Sequence, residues 1–136
     1  MAGYSGTPLP KKLGIKEQFR VAMFDLPADV KSELKTALAS CDRTTSGPLD
    51  FAMIFVKTAA ELKKQFSSFA KQLAPAGILW ISWPKKASGV ATDLTENEVR
   101  RIGLEAGLVD VKVCAVNEIW SGLKFVIRLK DRPKRS

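Results

Sequence analysis

The sequence predicts an α/β fold: a compact, mainly parallel five-stranded sheet with helices on both faces and a C-terminal antiparallel hairpin. Three observations predict it. First, "RVAMF", "LDFAMIFVK" and "GILWISW" are continuous apolar runs, as expected of strands covered on both faces. Second, these runs alternate with segments whose apolar residues recur at helical spacing, the pattern of right-handed strand–helix–strand units. Third, the 136 residues, 46% hydrophobic and 26% charged, suit one ordinary globular domain.

The elements follow in order. Residues 1–19 are rich in Gly, Pro and Lys and read as an arm, with a helical turn that packs Leu9, Leu13 and Ile15 on the body. "RVAMF" is the first strand, ended by Pro27. "ADVKSELKTALASC" then sets Val30, Leu34, Ala37, Leu38 and Cys41 on one helical face, and "DRTTSGP" is loop chemistry. "LDFAMIFVK" is the second strand. Thr58 with Glu61 three residues later forms a capping box for the next helix, whose stripe is Leu62, Phe66, Phe69, Ala70 and Leu73. That stripe reads as core packing, and Pro75 and Gly77 read as the helix stop. "GILWISW" is the third strand. Thr95 and Glu98 repeat the capping signature, and Gly107 ends that helix. "VDVKVCAVNEIWSGLKFVIRLK" closes the fold as a hairpin, turning at Ser121 and Gly122. Residues 20–130 thus form the single domain, and 131–136 a basic flexible tail.

Composition removes several chemistries. The chain has no histidine, so a Ser-His-Asp or Cys-His nucleophile is excluded, and the commonest zinc ligand is missing. No metal site is expected. Cys41 and Cys114 are 73 positions apart without a C-x-x-C pair and read as buried thiols. No apolar run reaches the roughly 20 residues that span a bilayer. "MAGYSGTPLPKKLGIK" lacks an apolar export core, so a cytoplasmic location without membrane contact is expected. The net charge of +8 favours anionic partners. The basic residues are scattered apart from the tail "RLKDRPKRS", which no aromatic residue accompanies, so a nucleic-acid role is not expected.

In open parallel sheets, ligands bind beyond the carboxyl ends of the strands. The connections Asp25–Asp29, Lys57–Thr58, the long loop from Trp83 and the turn in "EIWSG" all emerge there. The stretch "WPKKASGVATDLTENEV" exceeds the usual 4–6-residue connection and runs into a helix N-terminus, where free N–H groups attract anions. Lys85 and Lys86 add charge. Trp83 and Trp120 add aromatic faces suited to a stacked ring. The expected ligand-binding set is Trp83, Lys85, Lys86, Ser88, Thr95, Trp120 and Ser121. Against it stands a structural reading, with Trp83 capping the core, the lysines solvated, and Glu96 and Glu98 repelling an anion. Asp25, Asp93 and Glu118 are the acid–base candidates, and no catalytic set emerges.

Two resemblances sharpen this. "LDFAMIFVKTAAELKKQFSSFAKQLAPAGILWISW" resembles the fourth strand, helix and fifth strand of class I S-adenosylmethionine-dependent methyltransferases. "EAGLVDVKVCAVNEIWSGLKFVIR" is similar to that fold's last helix end and terminal hairpin. The resemblance implies a Rossmann-like, truncated methyltransferase-like domain. Where such enzymes carry a glycine-rich turn after the first strand, this chain has "DLPADVKSE" without glycine, so no cofactor is expected, S-adenosylmethionine included. Over nearly the whole chain, "MAGYSGTPLPKKLGIK", "WPKKASGVATDLTENEVR" and "GLVDVKVCAVNEIWSGLKFV" resemble the small bacterial proteins of domain of unknown function 3052. The resulting expectation is a non-catalytic protein binding a small anionic ligand or a protein partner at the carboxyl edge. Its alternatives are a methyltransferase-like enzyme with a degenerate cofactor site and a weak nucleic-acid binder.

Overall fold

The computed structural model describes residues 7–133; residues 1–6 and 134–136, with the ends of the expected arm and tail, lie outside the described residues. The elements are α1 (Leu9–Leu13), β1 (Arg20–Phe24), α2 (Ala28–Ala39), β2 (Asp42–Arg43), β3 (Leu49–Phe55), α3 (Ala59–Ala70), β4 (Leu73–Pro84), α4 (Glu96–Glu105), β5 (Leu108–Ala115) and β6 (Trp120–Ile127). They build one sheet in the order β2-β1-β3-β4-β6-β5. β1, β2, β3 and β4 pair in parallel, and β6 is antiparallel to both β4 and β5. The fold is an α/β, Rossmann-like architecture with a C-terminal antiparallel hairpin.

Each face of the sheet carries its own apolar layer. On one, Leu79, Ile81 and Trp83 of β4 pack with Leu62 and Phe66 of α3 and Val99 and Ile102 of α4. On the other, Phe51, Met53, Trp80 and Trp120 pack with Leu13 of α1 and Val30, Leu34 and Leu38 of α2. This two-sided cover explains the unbroken apolar runs of β3 and β4.

Three local features differ from the expected pattern. A sixth, two-residue strand, β2, lies within the segment read as loop; it is held by backbone pairing of Arg20 with Asp42 and Val21 with Arg43. Pro75 and Gly77 do not end α3, which stops at Ala70; they lie in β4, where the register jumps from Leu49–Leu73 to Phe51–Ile78. A bulged strand start tolerates proline, and a Cβ on Gly77 would lie 2.6 Å from the Leu49 carbonyl oxygen. Finally, the hairpin turns at Asn117–Ile119, not at Ser121–Gly122. Asn117 Oδ1 accepts hydrogen bonds from the Ile119 and Trp120 amides, each at 2.9 Å, so the asparagine side chain makes the turn. Gly122 sits inside β6 because the Trp80 ring packs directly over it.

Candidate functional site

The end of β4 and the start of β6 build the central part of the carboxyl edge. Trp83 pairs with Ser121, and Pro84 with Trp120. Alternate strand residues point to opposite faces, so Trp83 and Ser121 turn to the α3/α4 side and Trp120 to the α1/α2 side. On the first side opens a hollow of about 570 Å³, within the size range of small-molecule sites. Trp83 and Leu94 form its floor, Lys85 and Lys86 one wall, and Thr95, Glu96 and Asn97 at the start of α4 another. Of the expected ligand-binding set, Trp83, Lys85, Lys86, Thr95 and Ser121 line this hollow, whereas Ser88 and Trp120 do not.

Ser88 is absent because its hydroxyl folds the loop. It donates to the Lys85 carbonyl at 2.6 Å and accepts from the Val90 amide at 3.1 Å. The long loop is not slack. The Lys85 amide donates to the Ile119 carbonyl at 2.8 Å, tying the loop to the hairpin turn. Thr92 Oγ1 donates to the Lys57 carbonyl at 2.6 Å, and Asp93 Oδ1 accepts from the Ala59 amide at 2.8 Å, tying it to the start of α3. Leu94 is buried beneath.

At the start of α4, Thr95 Oγ1 accepts from the Glu98 amide at 3.2 Å, which leaves the Glu96 and Asn97 amides as the unbonded donors of the first turn. Thr95→Ala is expected to lower stability by about 1 kcal/mol, with Thr95→Ser restoring most of it, in urea titrations followed by circular dichroism. The acidic residues beside the hollow are partnered. Glu96 pairs with Arg100 at 2.7 Å and Glu98 with Arg101 at 2.7 Å. The Arg101 hydrogen bond holds the Glu98 carboxyl below its ordinary range. The repulsion expected from Glu96 and Glu98 is thereby offset, and Lys85 and Lys86 form none of the ion pairs among the described residues.

A second, smaller crevice of about 240 Å³ lies between the ends of β1 and β3, where the strand order reverses. Its lining is Asp25, Phe55, Lys57, Glu61 and Trp120. Asp25, the residue after β1, lies in the left-handed region (φ 56°), a conformation that Asp accepts better than most residues. The Trp120 indole reaches over β4 to meet Phe55 edge-on, ring centroids 5.2 Å apart. Sequence reading placed the Asp25 and Lys57 connections at this edge, but nothing in it signalled Phe55 or Glu61.

The acid–base candidates serve separate places: Asp25 the crevice, Asp93 the start of α3, and Glu118 the hairpin turn. Among the described residues no cluster of His, Cys, Asp or Glu is fit to hold a metal. Cys114 is buried and Cys41 half-buried; both are free thiols, and burial pushes both up from the ordinary thiol range. No helix among the described residues is long and apolar enough to cross a membrane.

No family model and no curated protein sequence matches this chain. Solved structures do. A SAM-dependent methyltransferase from Aquifex aeolicus superposes with a TM-score of 0.59 at 14% identity, covering 88% of each chain. Magnesium protoporphyrin IX methyltransferase from Synechocystis PCC 6803, with bound SAH, gives 0.58 at 12% identity, over 88% of this chain and 78% of that one. LepI in complex with SAM gives 0.54 at 12% identity, over 90% of this chain; this chain spans 47% of LepI's length. These likenesses define the fold as that of the SAM-dependent methyltransferases. They also overturn the expectation that no cofactor is involved: solved structures of this architecture hold SAM or SAH.

Proposed function

We propose that this protein is a methyltransferase-like domain that binds S-adenosylmethionine at the β1/β3 crevice and a small anionic molecule in the Trp83 hollow. The observation that carries the reading is the paired arrangement of these two openings along one carboxyl edge. The crevice side chains fit such a cofactor in kind. Lys57 matches its carboxylate, Asp25 and Glu61 can accept from its ammonium and ribose hydroxyls, and Phe55 offers an apolar face to its base. Its volume is below the roughly 300 Å³ where small-molecule sites usually begin, so binding the cofactor there requires the crevice to widen. When bound, S-adenosylmethionine supplies a transferable methyl group. The chain's own part is to bind and orient: Lys85, Lys86 and the Glu96 and Asn97 amides hold the anion, and Trp83 gives it an apolar floor. Placement among the bacterial proteins of domain of unknown function 3052, in the cytoplasm, is part of the same proposal and rests on the sequence phrases quoted above.

Thermal-shift and calorimetric titration with SAM, SAH and a panel of anionic metabolites tests both halves. A ligand at a hundred times its Kd adds about 2.7 kcal/mol of stability. Lys85→Ala/Lys86→Ala should lose the shift given by the anionic ligand and keep that given by SAH. An anion shift untouched by the double variant would remove the hollow from the account. The absence of any response to millimolar SAM or SAH would remove the cofactor.

A further inference from the structure

We infer that Trp120 is a built-in plug of the β1/β3 crevice, latched by Asn117, and that a ligand enters only when the hairpin turn releases it. The inference rests on the proposed cofactor reading for the identity of the ligand, but not for the plug itself. Trp120 belongs to β6, which β4 separates from β3. Its indole nevertheless crosses to Phe55 and lines the crevice, and it is 8% exposed. An aromatic ring therefore already occupies the apolar part of the space a ligand's planar ring would need.

The latch is visible in the hydrogen bonds. Asn117 Oδ1 orders the turn through the Ile119 and Trp120 amides, while Asn117 Nδ2 donates to Asp29 Oδ2 at 3.1 Å. Asp29 stands in the first turn of α2. One side chain thus fixes the turn that carries Trp120 and fastens it to the start of α2. The latch is exposed, and an exposed hydrogen bond is worth little net energy. The latch bond is therefore a small part of what holds the turn, and the main cost of release is unburying the Trp120 ring. The Lys85 amide bond to the Ile119 carbonyl joins the same turn to the loop bordering the Trp83 hollow, so one movement reaches both openings.

A protein whose binding-competent form is a minor fraction shows an apparent Kd raised by that fraction. Trp120→Ala and Asn117→Ala should therefore bind SAH more tightly than the parent, Trp120→Ala by roughly tenfold or more. The chain has three tryptophans, so 5-fluorotryptophan labelling gives three fluorine resonances, with Trp120 assigned by its loss in Trp120→Phe. In Asn117→Ala without ligand, the Trp120 resonance should shift and gain a solvent isotope effect, while that of Trp80 stays in place. A Trp120 resonance unchanged in Asn117→Ala overturns the latch. Equal SAH affinity in the parent and Trp120→Ala overturns the plug and leaves the cofactor reading standing. A released Trp120 in Asn117→Ala with no SAH binding in any variant upholds the latch alone, and removes both the plug and the cofactor reading.

Discussion

Trp80→Ala is expected to lower the unfolding free energy by roughly 3–5 kcal/mol, the cost of emptying a large aromatic site in a core. Domains of this kind hold only about 5–15 kcal/mol in total, so the variant should sit near the edge of folding at 37 °C. Trp80 is fully buried at the centre of β4. Its indole packs over Gly122 and donates from Nε1 to the Leu13 carbonyl at 2.8 Å. That bond joins the sheet to α1 across 67 positions of sequence. Trp80→Phe separates the two contributions. It keeps most of the apolar area but leaves the Leu13 carbonyl buried without its donor, at a cost of about 1–3 kcal/mol. Urea titration measures both variants. Hydrogen exchange adds the position: in Trp80→Phe, protection should fall first in α1 and the Gly14 turn that follows it. A loss below about 1 kcal/mol for Trp80→Ala would mean that the ring is not the keystone its burial implies.

What the sequence made legible was whatever leaves a side-chain signal. The strands covered on both faces show as unbroken apolar runs, and the caps of α3 and α4 show as Thr58 and Thr95 with a glutamate three residues on. β2 leaves no such signal, because two exposed residues are held there by backbone bonds alone. Gly122 misled for a related reason. Its lack of a side chain serves a close approach to Trp80, while Asn117 makes the turn. At the site, the carboxyl-edge rule located the right connections. It could not sort their side chains, because sorting needs the register. Only the pairing of Trp83 with Ser121 sends Trp120 to the opposite face, out of the hollow and into the crevice. The same holds for Ser88, whose hydroxyl is used within the loop.

Gly103→Leu should be the most damaging single substitution on α4, costing roughly 3 kcal/mol, the upper end of ordinary overpacking. Gly103 is buried in the helix interior, where glycine would normally be a liability of about 1 kcal/mol against alanine. It is tolerated because α4 lies directly on β6: a Cβ there would overlap Cε2 and Cζ of the Phe125 ring. That ring has nowhere to go. Phe125 is fully buried and meets Phe66 edge-on, with ring centroids 5.2 Å apart and planes at 89°. The steric cost therefore exceeds the gain in helix propensity, and even Gly103→Ala should destabilise. A double-mutant cycle decides whether the ring is the cause. In a Phe125→Leu background the obstacle is gone, so Gly103→Ala should become neutral or stabilise by up to about 1 kcal/mol. The coupling between the two sites should be on the order of 1–3 kcal/mol. Additive effects in that cycle would show that α4 stands off from β6 in solution, and the contact between α4 and the sheet would have to be redrawn.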